Sequence, residues 1–399
     1  MVSSIVLTKN LKKNTGKQGS VVNSNSGLQV DIVPPEFLLE MSCEPTSSKP
    51  ISQYFSLKIL NFLLIVILAL FLTSFLYQKR VEKFESSINQ LKFDDFNHRF
   101  GRKHDNLHDF KRRFEIFVEN LKKIETLNSE NSGVRFTINQ FSDRTDAELR
   151  GMVMDEELTT NFNFTMLNFF NGTFPEAFGL MNRARPSFKN WTDEGKVMSV
   201  KNQRPCASGW AFATVATVES QSAIRKGKLW SLSEQEVVDC DGWNNGCIGG
   251  NMGNAMEWVI LNGLETEDDY PYEAVRHDQC YMNGEKTRVR VDGAFIFPNN
   301  EDIIADWVAA AGPVSFVMAV PSSIFSYSKG IYHPSKEECN STNDRHAMTI
   351  VGYGSDQGQS YWLVKNSWGE SWGDKGYMKL ARGDKVCGMS ELVIGPIIT

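Results

Sequence analysis

Between Ile59 and Tyr77 nineteen residues run without a charge and are apolar apart from Asn61, Thr73 and Ser74. As a helix rising about 1.5 Å per residue, such a run nearly spans a ~30 Å hydrocarbon core, and soluble core helices seldom go so long without a charged residue. We read residues 59–77 as a transmembrane segment that divides the chain in two. It begins after 58 residues, too late for the apolar region of a cleaved signal peptide. Those 58 residues are rich in Ser, Asn and Lys and poor in aromatics, a composition that cannot bury enough surface to order itself, so 1–58 reads as a disordered tail.

The charges flanking the apolar run favour the opposite orientation from the rest of the chain. Lys79, Arg80, Lys83 and Lys92 follow it, against Lys49 and Lys58 before it, and taken locally the positive-inside rule would place the C-terminal side in the cytosol. Six of the seven cysteines (Cys206, Cys240, Cys247, Cys280, Cys339, Cys387) and four glycosylation sequons (Asn163, Asn171, Asn190, Asn340) also lie on that side, and both features belong to an oxidising compartment. The chemistry of a whole domain outweighs a few lysines. The expectation is a single-pass type II protein with a cytosolic tail, carrying Cys43 as a free thiol, and a lumenal or extracellular C-terminal part. Six cysteines allow 15 pairings. No two are separated by only two residues, as in a metal knuckle, so neither a metal site nor a cofactor is expected. With 42 basic and 48 acidic residues the net charge is -6, and the longest basic run is Lys111–Arg113, so a nucleic-acid partner is not expected. No segment repeats at a period of about 20 to 50 residues, which removes solenoids and propellers.

Beyond the apolar run, residues 81–183 open on a charged helical stretch in which Phe110, Phe114, Phe117, Leu121 and Ile124 recur at steps of three and four, giving one apolar face. Near 161–173 the period dissolves into an extended connector. Residues 186–399 are long enough for a core of their own. There Ala211–Ile224 predicts a helix with small residues for deep burial. Ser233-Glu-Gln-Glu predicts a capping box opening a second, and Asn251–Asn262 a third, stopped by Gly263. Strands are predicted at Val314–Val320, Ala347–Tyr353, Ser360–Val364 and Gly376–Leu380. Helices first and strands later make an α+β fold with a helical lobe, a sheet lobe and a cleft between them.

Three segments then carry a likeness: Lys201-Asn-Gln-Arg-Pro-Cys-Ala-Ser-Gly-Trp-Ala-Phe212, Arg345-His-Ala-Met-Thr-Ile-Val-Gly-Tyr-Gly354 and Tyr361-Trp-Leu-Val-Lys-Asn-Ser-Trp-Gly369. In this order and spacing residues 186–399 resemble the papain family of cysteine proteases. Leu232-Ser-Glu-Gln-Glu, Gly246-Cys-Ile-Gly-Gly250 and Tyr270-Pro-Tyr272 add to the match. Upstream, Asp109, Arg113, Phe117, Asn120, Ile124 and Asn128 have the spacing of that family's helical propeptide signature. Asn139, Phe141 and Asp143 match its later propeptide element, with Thr137 where Gly is usual. The resemblance implies that 81–183 is an inhibitory prodomain, that the proform is a zymogen, and that Cys206 pairs with Cys247, Cys240 with Cys280 and Cys339 with Cys387.

It also implies a site: His346 as general acid and base, Asn366 orienting it, Gln203 as the side-chain oxyanion donor, and Trp368 shielding the His–Asn pair. Gly249 and Gly250 would present backbone to an extended peptide, and Leu392 would lie at the base of a subsite. The nucleophile's position is Gly209. Without a side chain there no acyl-enzyme can form. Ser208 lies about 100° around the helix, and Cys206 is claimed by its disulfide. Arg345 stands where many relatives carry Asp or Asn, a cation that would disfavour an imidazolium beside it. Arg204, Pro205 and Ala207 alter the neighbouring loop. The resulting expectation is a peptidase homologue without peptidase activity, acting by binding peptides in its cleft or other papain-like proteases through its prodomain. An active endopeptidase would need Cys at 209 or a substitute group, and a surface scaffold would bind neither peptide nor propeptide.

Overall fold

The computed structural model describes residues 52–160 and 184–399. The tail to residue 51, Cys43 and the sequons at Asn163 and Asn171 lie outside the described residues. Two units are distinguished, Met1–Phe75 and Leu76–Thr399. The described part of the first is helical. The helix is assigned from Ser52 to Arg99, longer than the apolar run, and from Leu57 onward the run's side chains are exposed. By length and composition this helix can cross a membrane.

In the second unit the N-terminal part is built on Leu107–Glu130, where the three- and four-residue spacing does what it predicts. Phe117 and Leu121 bury against Phe93 and Phe96. The propeptide-type residues of the same helix hold the turns that follow. Arg113 donates to the Asp143 carbonyl and to Glu148, Asn120 Nδ2 donates to the carbonyls of Ser142 and Arg144, and Asn128 exchanges two hydrogen bonds with Phe136. Burial alone would raise the Glu148 carboxyl. The hydrogen bonds from Arg113 and Thr145 instead hold it at about 2.

The helical lobe is carried by Gly209–Arg225, whose residues through Ala223 are buried. Glu234–Cys240 and Met252–Asn262 pack on it. The third helix is capped as its sequence predicts: Asn251 accepts from the Gly253 N–H, and Gly263 takes φ 73° at the stop. The capping box at Ser233 is only half formed. Its hydroxyl accepts from Glu236 N–H, but the Glu236 carboxylate accepts from the Glu265 N–H and from Arg288 instead of reaching back, because a buried cation competes for it.

The sheet lobe runs, in order of neighbouring strands, Val134–Phe136, Tyr327–Tyr332, Tyr377–Ala381, Gln359–Lys365, Asp344–Asp356, Val314–Ala319, Val393–Ile397 and Gly293–Ile296. All these pairs are antiparallel except Tyr327–Tyr332 with Tyr377–Ala381. Four of the strands are those predicted, so the α+β reading holds. The three disulfides are Cys206–Cys247, Cys240–Cys280 and Cys339–Cys387. Each lobe has its own apolar core. Ile124, Phe136, Phe141, Met152 and Val153 of the N-terminal part join the sheet-lobe core, whereas Met154, the next residue, joins the helical-lobe core. The chain therefore crosses from one lobe to the other at Val153–Met154, and this strap lies in the cleft.

Candidate active site

One wall of the cleft is the strand Asp344–Asp356 with the turn after Lys365. His346 and Asn366 face each other because one lies on a strand and the other directly follows its antiparallel neighbour, and His346 Nε2 lies 2.8 Å from Asn366 Oδ1. A neutral imidazole donates from Nε2 to that oxygen, which leaves Nδ1 as a bare acceptor; Nδ1 is buried and has no partner among the described residues. Trp368 stacks on the ring with centroids 4.7 Å apart and is itself buried against Phe325 and Trp372. Burial pushes the His346 pKa down to about 4, against the Asn366 hydrogen bond, which works the other way. Arg345 is not what depresses it. Its guanidinium binds Glu156 and the carbonyls of Thr342 and Asp344, so the expected effect of this cation on its neighbour is replaced by burial.

The other wall is the segment leading into Gly209–Arg225. Gln203 is buried and its amide orientation is set by Ser367, whose hydroxyl donates to Oε1 at 2.7 Å. Its Nε2 donates to the Cys206 carbonyl at 2.7 Å and to the Met152 carbonyl of the strap at 2.8 Å. The residue expected to donate to an oxyanion thus already donates to a peptide carbonyl. Arg204 adopts φ 55°, a left-handed conformation usually left to glycine. Its side chain holds the loop there by donating to the Tyr272 carbonyl at 2.7 Å. Tyr272 in turn donates to the Gln203 carbonyl at 2.8 Å and lies 2.6 Å from Ser208 Oγ. Ser208 is therefore buried and bonded away from the cleft. The sequence places Arg204 in an altered loop and Tyr272 in the Tyr270-Pro-Tyr272 match, but the bond that joins them is visible only in the structure.

Between the walls, Gly209 opens the helix, and the imidazole lies against it. A Cβ at 209 would overlap the His346 ring, with Nδ1 2.6 Å away, and would meet the Ala347 carbonyl at 3.3 Å. The ring occupies volume that any side chain at 209 would need. The two expected peptide-binding glycines separate. Gly249, at φ 140°, faces the strap, since a Cβ there would meet Leu158 at 2.9 Å and Met154 at 3.0 Å, whereas Gly250 makes room for Trp210 and Asn244 inside the lobe. Leu392 lines a cavity of about 960 Å³ beside the strap, together with Val317, Asn251, Glu156 and Arg345. Asn190 is half-buried and its side chain accepts from the Thr192 N–H, while Asn340 is exposed at the end of a short helix.

The strap itself is Met152–Thr160. Met154 and Asp155 pair antiparallel with Arg345 and Asp344, Glu156 N–H donates to the Asn343 carbonyl, and the Thr159 carbonyl accepts from Asn251 Nδ2. Upstream of it Phe141 packs edge-on against Trp368. A helical N-terminal part thus runs a strand through a two-lobed cleft and covers a histidine–asparagine pair, the arrangement of a papain-type proenzyme.

Comparison with known proteins agrees. Residues 185–397 match the family model for the papain family cysteine protease, and residues 93–149 match that of the cathepsin propeptide inhibitor domain. The chain belongs to the papain family of cysteine proteases, in the form of a cathepsin-like proenzyme. It is 37% identical over 296 residues to pro-cathepsin H of Mus musculus, covering 72% of this chain and 85% of the relative. It is 34% identical over 319 residues to cathepsin F of Drosophila melanogaster, where the match covers 77% of this chain but half of the relative's length. Among solved structures, the digestive procathepsin L2 proteinase of the Tenebrio molitor larval midgut superposes with a TM-score of 0.72 at 33% identity, over 78% of this chain and 100% of that one.

Proposed function

We propose that this chain is a papain-family peptidase homologue that no longer cleaves peptides and acts by holding them in its cleft. Gly209 carries the reading: covalent catalysis needs a nucleophilic side chain at that helix N-terminus, and glycine supplies none. Burial of Ser208 against Tyr272 and the disulfide on Cys206 remove the two neighbouring candidates. In this reading His346 and Asn366 are the equivalents of the family's base and its orienting partner, Gln203 of its oxyanion donor, and Trp368 of their shield. Gly249 and Leu392 belong to the peptide-binding surface, which is supported by the chain's own strap lying against or beside them.

The reading extends to topology. We infer a type II membrane protein anchored by residues 59–77, with the disulfide-bonded, glycosylated part lumenal or extracellular, on the strength of three disulfides and four sequons C-terminal to the apolar run. The peptide-holding role is tested with the full chain in which 152–160 are replaced by Gly and Ser, so that the cleft is uncovered. A labelled peptide of the strap sequence should bind reversibly and be recovered intact by mass spectrometry after prolonged incubation. Recovery of cleaved peptide, lost again with His346→Ala, would overturn the reading.

A further inference from the structure

Arg345 has its partner 189 residues away in sequence, on the strap. Its guanidinium is mostly buried, with the side chain 18% exposed, and it forms an ion pair with the half-exposed Glu156. It is also steadied by its own strand and turn, donating to the carbonyls of Thr342 at 3.2 Å and Asp344 at 3.3 Å, so the cation is positioned before any ligand arrives. The neighbouring residue has the opposite sign. Asp344 meets Arg150, which is largely exposed, at 3.4 Å. The main chain between these contacts is in strand register, Met154 opposite Arg345 and Asp155 opposite Asp344. A strand laid on this edge gains affinity from its backbone whatever its sequence, and the side chains opposite fixed charges supply the choice.

We propose that Arg345 is a specificity-determining residue of the cleft, selecting extended peptides that carry a carboxylate where Glu156 sits. The occupant is an acidic strand-forming peptide, and Asp155-Glu156-Glu157 of the strap is the chain's own example of it. This rests on the peptide-holding reading above and names the ligand class for the same site.

The test again uses the full chain with 152–160 replaced by Gly and Ser. Fluorescent nine-residue peptides of the sequence Met152–Thr160 are titrated by anisotropy, as the native peptide and with Glu156→Gln, Glu156→Lys or Asp155→Asn. Since the pair is partly exposed, Glu156→Gln should weaken binding about fivefold and Glu156→Lys about twentyfold, while Asp155→Asn stays within about twofold. Arg345→Glu in the protein should reverse the order of the Glu and Lys peptides. If all peptides bind equally, Arg345 selects nothing and this inference fails while the peptide-holding reading stands. If none binds, that reading falls too. A second measurement needs no strap replacement. In the otherwise native full chain Arg345→Glu and Glu156→Arg should each lower the thermal midpoint and together recover it, and absence of recovery contradicts the pairing.

Discussion

On the strand wall of the cleft, His346 is bonded to Asn366 and stacked on Trp368. On the helix wall, Gly209 has no side chain, Arg204 holds a backbone conformation glycine would prefer, and Ser208 is tied to Tyr272. The contrast separates two reasons for a residue to be where it is. The strand-wall groups are also packing groups: Trp368 lies in the sheet-lobe core and its stack holds the histidine, so losing catalysis would not release them. Position 209 is a helix end facing the cleft. The imidazole occupies the space beside this glycine, and the loop before it is fastened through Arg204 and Tyr272.

The largest effect should come from the wall that packs. Trp368→Ala should cost about 3–5 kcal/mol by denaturant unfolding, as expected for a fully buried tryptophan. A loss near zero would mean that the stack is not structural, and the comparison would break. Gly209→Ala tests the other wall. The added Cβ overlaps the His346 ring, so overpacking should destabilise by about 1–3 kcal/mol despite alanine's better helix propensity. A stabilised variant would show that the ring withdraws freely and has not taken over the site. The same overlap bears on Gly209→Cys. The thiol does not simply face the imidazole, as the motif alone suggests; the ring must first withdraw.

A smaller effect concerns pH. The His346 pKa lies well below its unfolded value, so the neutral ring is favoured in the folded state. Its stabilising contribution is fully present above about 6.5 and is lost as the pH falls towards 4, because the unfolded chain takes up a proton that the folded one does not. Nuclear magnetic resonance of the ring should show no titration between neutrality and about pH 5. A midpoint near 6.5 would mean that the strap leaves the ring solvated.

Local signals were legible and long-range ones were not. Asn251 and Gly263 delimit a helix because a cap is set by neighbours, and the prediction of Ala211–Ile224 fell within Gly209–Arg225 because small residues on one face are written in a single stretch. The strand Val393–Ile397 is not legible in the sequence because Gly395 and Pro396 look like punctuation. The glycine is there because a Cβ would meet Trp307 at about 2.9 Å, a contact 88 residues away in sequence. The site divides the same way. His346, Asn366 and Gln203 are singled out by their flanking residues, whereas the bonds from Gln203 to Met152 and from Arg345 to Glu156 depend on where the chain crosses the cleft, which no local pattern encodes.

The central claim is that position 209 ends the chemistry, and it is tested most directly by turnover in the uncovered cleft. The full chain with 152–160 replaced by Gly and Ser should release no fluorophore from peptide substrates above buffer, and should gain no mass from a thiol-directed epoxide at residue 209. Turnover that survives Ser208→Ala and disappears with His346→Ala would contradict it, since a histidine-dependent hydrolysis would then proceed without the nucleophile.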